Sequence, residues 1–162
     1  MNGMHLALER DDAKQLFGCR DPDLLRAFLW EDVVARLPDA QRMDWTGLEL
    51  ALAQRLLGDG SLSSNGNGSP LDQCFMGGRP LDAGEGRIVR MVRPDMVGHV
   101  TDALANYSRD LVSEKLNALP EDYDGTRDAA AANVAYEQIK KLHDFFQHAL
   151  SLRSAVVFCC ET

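Results

Sequence analysis

The chain has 162 residues, of which 45% are apolar and 26% charged, and its formal net charge is −8. That length suits one domain with one sizeable core, and the acidic balance argues against nucleic acid, because phosphate contacts need a basic surface. No apolar run approaches the roughly 18 to 20 residues of a membrane-spanning helix, so no membrane partner is expected. The start, Met1-Asn-Gly-Met4-His5, lacks the basic stretch and apolar block of a signal peptide, and a cytoplasmic location is expected.

Residues Met4 to Glu9 alternate loosely and suit a first strand. Asp11-Asp12 opens a short helix through Phe17, with carboxylates at its positive end. Asp21-Pro22-Asp23 is a stronger helix start: a capping carboxylate, proline in the first helical position, and a second acid in the first turn. Leu24, Leu25, Phe28, Leu29, Val33 and Leu37 then recur at three-to-four spacing until Pro38. Asp44 is the expected cap of a helix from Trp45 to Leu57, which is apolar nearly all round and therefore central. A Gly/Ser/Asn stretch at about 58–69 follows and is expected to be a flexible loop. Ser69-Pro70 caps a short helix ending near Gly77-Gly78.

Arg87 to Arg93 is a second strand rich in β-branched residues, and Pro94 starts a helix to about Tyr107. Ser108 caps another helix to Leu119, and Pro120 to Asp128 is a polar, acidic loop. The last helix, about Asp128 to Leu150, carries the stripe Ala135, Ile139, Leu142, Phe146 and Ala149. Ala155 to Cys160 is the third strand, apolar without alternation, so both of its faces should be covered. The expected fold is α+β: a single compact domain over 1–162, with a small, mostly three-stranded sheet surrounded by about six helices. A long C-terminal helix leads into a buried last strand.

Glu49 is the sharpest candidate residue, an acid beside Trp45 on an apolar helix. A buried carboxylate needs a partner, protonation or a route to water. It either lines a cleft, or pairs with an arginine of the second strand such as Arg90, or is a boundary residue reaching solvent near the helix start. Arg87 and Arg90 point to opposite faces of their strand; they pair with acids or form a pocket for an anionic group. Glu121, Asp122 and Asp124 make an acidic loop suited to a basic partner. The histidines lack metal-ligand spacing: His143 and His148 lie on different faces of one helix, and His5 and His99 stand alone. Asp59 to Asn67 and Asp122 to Asp128 fail the calcium-loop pattern. The cysteines, Cys19, Cys74, Cys159 and Cys160, are expected to be buried free thiols. No nucleophile or phosphate-binding motif occurs. Neither a metal nor a cofactor is expected, nor a set of catalytic residues.

The order of several features resembles the YfbM-like family of bacterial proteins, a domain of unknown function. The carrying residues are Met4-His-Leu6-Ala-Leu8, then Trp45, Leu48-Glu49 and Leu57-Gly58, then Pro70-Leu71 with Gly77-Gly78. Val92-Arg93-Pro94 and the closing helix and strand from Val134 to Cys160 complete the match, which spans nearly the whole chain. Two departures stand out. Glu49 occupies the place of the family's usual histidine, and the Gly/Ser/Asn loop is longer. The resemblance implies a compact α+β domain and no activity.

Two functions stay open on these residues. One is a non-enzymatic, acidic protein-binding domain for a basic protein partner, of the immunity or antitoxin type. The other is a small-molecule binder or enzyme with a cleft near Glu49 and the Arg87–Arg93 strand. Oligomeric state is not indicated.

Overall fold

The computed structural model describes residues 2–62 and 69–162. In chain order it contains β1 (Gly3–Leu8), α1 (Arg10–Gly18), α2 (Pro22–Arg26), a π-helical stretch (Ala27–Val33) and α3 (Val34–Arg36). A 3-10 turn (Asp39–Gln41), β2 (Arg42–Trp45), α4 (Gly47–Leu57), a second 3-10 turn (Pro70–Cys74), β3 (Arg79–Leu81) and β4 (Arg87–Val92) follow. The chain continues through α5 (Pro94–Ala105), α6 (Arg109–Asn117), α7 (Ala129–Ser151) and β5 (Ala155–Glu161).

The sheet has five strands in the order β2-β1-β5-β4-β3, all antiparallel. This corrects the expected three strands. The two additions are the edges, and both are short. β2 carries the charged Arg42 and Asp44, and β3 carries Pro80, which cannot donate to a ladder and is tolerated at an edge. The three expected strands are the central ones. β5 lies in the middle and is buried over six of its seven residues, because helices cover both faces.

One face of the sheet, with Ala7, Val92, Val156 and Phe158, packs on α4, α5, α6 and α7. The other, with Leu6, Leu8, Val89, Met91 and Val157, packs on α1 and the α2-π-α3 run through Leu16, Leu25, Leu29 and Val33. Counted as one, that run makes six helices among the described residues, in line with the expected number of about six. Its buried residues fall at every fourth position, which suits the wider turn of its π-helical middle. Leu24, placed on the expected stripe, is instead 64% exposed. The stripe of α7 is buried throughout.

The helix from Trp45 needs a second correction. Trp45 ends β2, and Thr46 rather than Asp44 is the cap. The Thr46 hydroxyl accepts from the Glu49 amide, and the Glu49 carboxylate accepts from the Thr46 amide, a reciprocal capping box. Asp21 and Ser108 cap their helices in the expected way, and Asp128 is found to cap α7.

Two backbone positions are sterically demanding. Gly77 closes the Pro70–Cys74 turn by donating to the Asp72 carbonyl at 2.7 Å, and a Cβ there would lie 2.7 Å from that same backbone. Arg153 ends α7 with φ of 54°, in the left-handed region where glycine is usual. Ser154 donates back to the Ala149 carbonyl at 2.9 Å, and Arg153 to Leu150 at 3.0 Å. Residues 63–68 of the expected flexible loop lie outside the described residues.

Candidate functional site

At its first residues β1 lies between the ends of β2 and β5, with Gly3 opposite both Trp45 and Cys160. The sheet end opens there into a cleft of about 460 Å³, lined among others by Trp30, Trp45, Asp44, Glu49, Glu161 and Arg42. Four separate stretches supply these groups. Trp30 comes from the π-helical stretch, a geometry that concentrates at functional sites; Asp44 and Trp45 come from β2, Glu49 from the first turn of α4, and Glu161 from the end of β5.

Trp45 is held from inside the core. Its indole N–H donates to His5 Nδ1 at 2.8 Å. An indole N–H can only donate, so Nδ1 is the acceptor, and the imidazole proton sits on Nε2, which donates to the Cys74 carbonyl. His5 is fully buried, with the rings of Trp45, Phe75, Phe145, Phe146 and Phe158 around it at centroid distances of 5.1 to 5.9 Å. Burial pushes its pKa down to about 4, against the smaller opposing effect of the Cys74 bond. The imidazole is therefore neutral and acts as a fixed bridge between β1, β2 and the Pro70–Cys74 turn.

Glu49 is half-buried and has partners on both oxygens. Oε2 accepts from the Thr46 amide at 3.0 Å and the Thr46 hydroxyl at 2.9 Å, and Oε1 accepts from Gln138 Nε2 at 2.9 Å. The pairing with Arg90 considered from the sequence is not formed. Arg90 lies on the α4–α7 face of the sheet but does not line this cleft, and its buried Nε lacks a hydrogen-bond partner. Arg87 approaches the cleft only through Glu161, at 3.4 Å. Asp44 receives Arg42 at 2.9 Å. Beside them, burial raises the pKa of both Cys159 and Cys160, so neither thiol is an activated nucleophile. Cys74 is likewise buried with a raised pKa, and all four cysteines are free thiols, with Cys19 only half-buried.

The acidic loop lies elsewhere. Asp122 is bound bidentately by Arg55, at 3.1 and 3.0 Å, and Arg55 is only 7% exposed. That hydrogen-bonded pair holds the Asp122 carboxyl below the usual carboxylate range. Arg127 donates to the carbonyls of Asn117, Leu119, Pro120 and Tyr123 and ties the same loop to itself. Glu121 and Asp124 remain exposed. Of the residues singled out from the sequence, the cleft thus gathers Trp45 and Glu49, with Arg87 behind Glu161. Trp30, Arg42, Asp44 and Glu161 were missed, and no local spacing links them.

Among the described residues no helix is long and apolar enough to cross a membrane. No curated protein matches the chain. The crystal structure of YfbM from Escherichia coli, a protein of unknown function, is similar with a TM-score of 0.70 at 14% identity. The likeness covers 98% of this chain and 99% of that one, and it speaks to the fold alone. A family model described as a domain of unknown function, DUF1877, matches residues 1–159, and the chain belongs to that family.

Proposed function

We propose that the protein is a non-enzymatic binding domain whose cleft at the start of β1 receives a cationic side chain of a basic protein partner. One observation carries the reading: three carboxylates, Asp44, Glu49 and Glu161, share the cleft with the half-buried indole of Trp30, while Trp45, only 2% exposed, forms part of its wall. Carboxylates supply charge, and indole faces hold ammonium and guanidinium groups well. Among the described residues Arg42 is the only base lining it, and Arg42 is already paired with Asp44. The net charge of −8 favours fast encounter with a basic protein. An immunity or antitoxin-like protein is one form such a domain takes. The alternative, a small-molecule binder or enzyme, draws on the same placement of Glu49, but the cleft holds no activated nucleophile.

Both tryptophans of the chain line the cleft, so tryptophan fluorescence responds to its occupancy. Titration with a Lys/Arg-rich hexapeptide is expected to change that fluorescence saturably. The affinity is expected to fall with salt, and about tenfold in Asp44→Asn and Glu161→Gln. Free lysine binding as tightly as the peptide transfers the proposal to a small cationic ligand. An equal response to a neutral peptide defeats it.

A further inference from the structure

The opposite end of β1 and β5 opens into a second cleft, of about 650 Å³, within the usual range of small-molecule sites. Its floor is apolar: Phe17 of α1, Met91 of β4, Pro94 at the start of α5 and Ala155 of β5. Its rim is basic, with Arg10, Lys14 and Arg153, and among the described residues Glu9 is the only acid in its lining. None of these three cations has an ion pair or side-chain hydrogen bond among the described residues. Arg20, Arg79, Arg90, Lys115, Arg127, Lys140 and Lys141 likewise have no ion pair among the described residues, so what marks this cleft is that three such cations meet around one apolar floor. Asp and Glu outnumber Lys and Arg by 25 to 17, so acidic partners are in surplus. Arg26, Arg36, Arg42, Arg87, Arg93 and Arg109 all take one.

Arg153 adds an independent observation. It holds the left-handed position that ends α7, where its side chain strains the backbone and glycine fits without penalty. Strain of this kind persists where a side chain is needed for another purpose. Here the side chain stands at the mouth of the cleft.

We infer that this cleft binds an amphiphilic carboxylate, a straight-chain fatty acid whose acyl body lies on the Phe17–Met91–Pro94 floor while Arg10, Lys14 and Arg153 hold its head group. The floor favours an apolar body, so a small inorganic anion satisfies only the rim. The charges favour an anion, so a neutral lipid satisfies only the floor.

Decanoate is the probe, with decanol and acetate as partial ligands, measured by titration calorimetry on the whole chain. Saturable single-site binding is expected with Kd below about 1 mM, and at least about tenfold weaker binding of decanol and of acetate. Lys14→Gln is expected to weaken decanoate about tenfold. Arg153→Gly separates binding from folding: decanoate weakens about tenfold, while the melting temperature of the free protein rises by about 2 to 4 °C. Equal binding of decanol and decanoate overturns the inference. So does unchanged affinity in Arg153→Gly, or the lack of saturation with decanoate in the millimolar range. The tryptophans lie at the other end of the sheet, so this test is independent of the cation cleft.

Discussion

Lowering the pH from 6.5 to 5 should destabilise the protein through His5. The folded chain keeps this imidazole neutral, with its pKa lowered from 6.5 to about 4. Below pH 6.5 the unfolded chain binds a proton there that the folded chain does not. Stability therefore rises with pH across this window and is lost as pH falls. Each pH unit is worth about 1.4 kcal/mol when the difference is one full proton. The interval from 6.5 to 5 thus removes about 2 kcal/mol, and the whole window down to pH 4 about 3 kcal/mol. Above 6.5 the dependence fades, and about one unit higher the residue contributes none. Asp59 and Asp122 are held below their ordinary value of 3.8, so their contributions are lost only as pH falls through the lower range. Urea titrations under reducing conditions at pH 7.0, 6.0 and 5.0 read the effect directly. His5→Gln is the control: its amide offers a donor and an acceptor but does not titrate. The remaining histidines are common to both proteins and cancel in the difference. A wild-type stability profile parallel to that of His5→Gln would falsify the buried neutral bridge.

Two further outcomes follow from local geometry. Thr46→Ala and Glu49→Ala each lose the reciprocal cap of α4 and should cost about 1 kcal/mol. Because the two residues share one motif, the double variant should cost less than the sum, by roughly 0.5 kcal/mol or more in a double-mutant cycle. Strict additivity refutes the box. Gly77→Ala places a Cβ 2.7 Å from the Asp72 backbone and should destabilise by about 1 to 3 kcal/mol in urea titration. The same substitution at Gly18, where a Cβ meets nothing within 4 Å, is the neutral comparison.

The glycine result gives a physical content to one family marker, because the Pro70-Leu71 to Gly77-Gly78 segment needs its glycine for backbone to meet backbone. Other parts were readable for similar local reasons. β5 was visible because an unbroken apolar run requires cover on both faces, and α7 because its stripe is regular. Asp21 and Ser108 act through neighbours two or three residues away, so their caps were visible too. The Thr-x-x-Glu signature of Thr46 and Glu49 was equally present, but an apolar reading that began at Trp45 placed the helix start two residues early. That shift made Glu49 look like a core acid in need of an arginine. β2 and β3 escaped because strands of four and three residues with charges or proline carry no alternation. The cleft escaped for a different reason. Trp30, Asp44, Glu49 and Glu161 meet only after β1 and β5 pair, and His5 reaches Trp45 across 40 positions of sequence.

The central place of β5 also sets an order on assembly. Gly3 to Leu8 find their main partner in Ala155 to Cys160, nearly the full length of the chain away. β4 waits for the same partner. During synthesis β1 and β4 are therefore made long before the strand that separates them, and each presents an open edge until it arrives. Contacts of such long range slow folding and leave the nascent chain open to association with its neighbours. A strand with six buried residues then has to enter between two waiting edges. The order of synthesis thus leaves β1 and β4 each with one unpaired edge until the last strand of the chain is made.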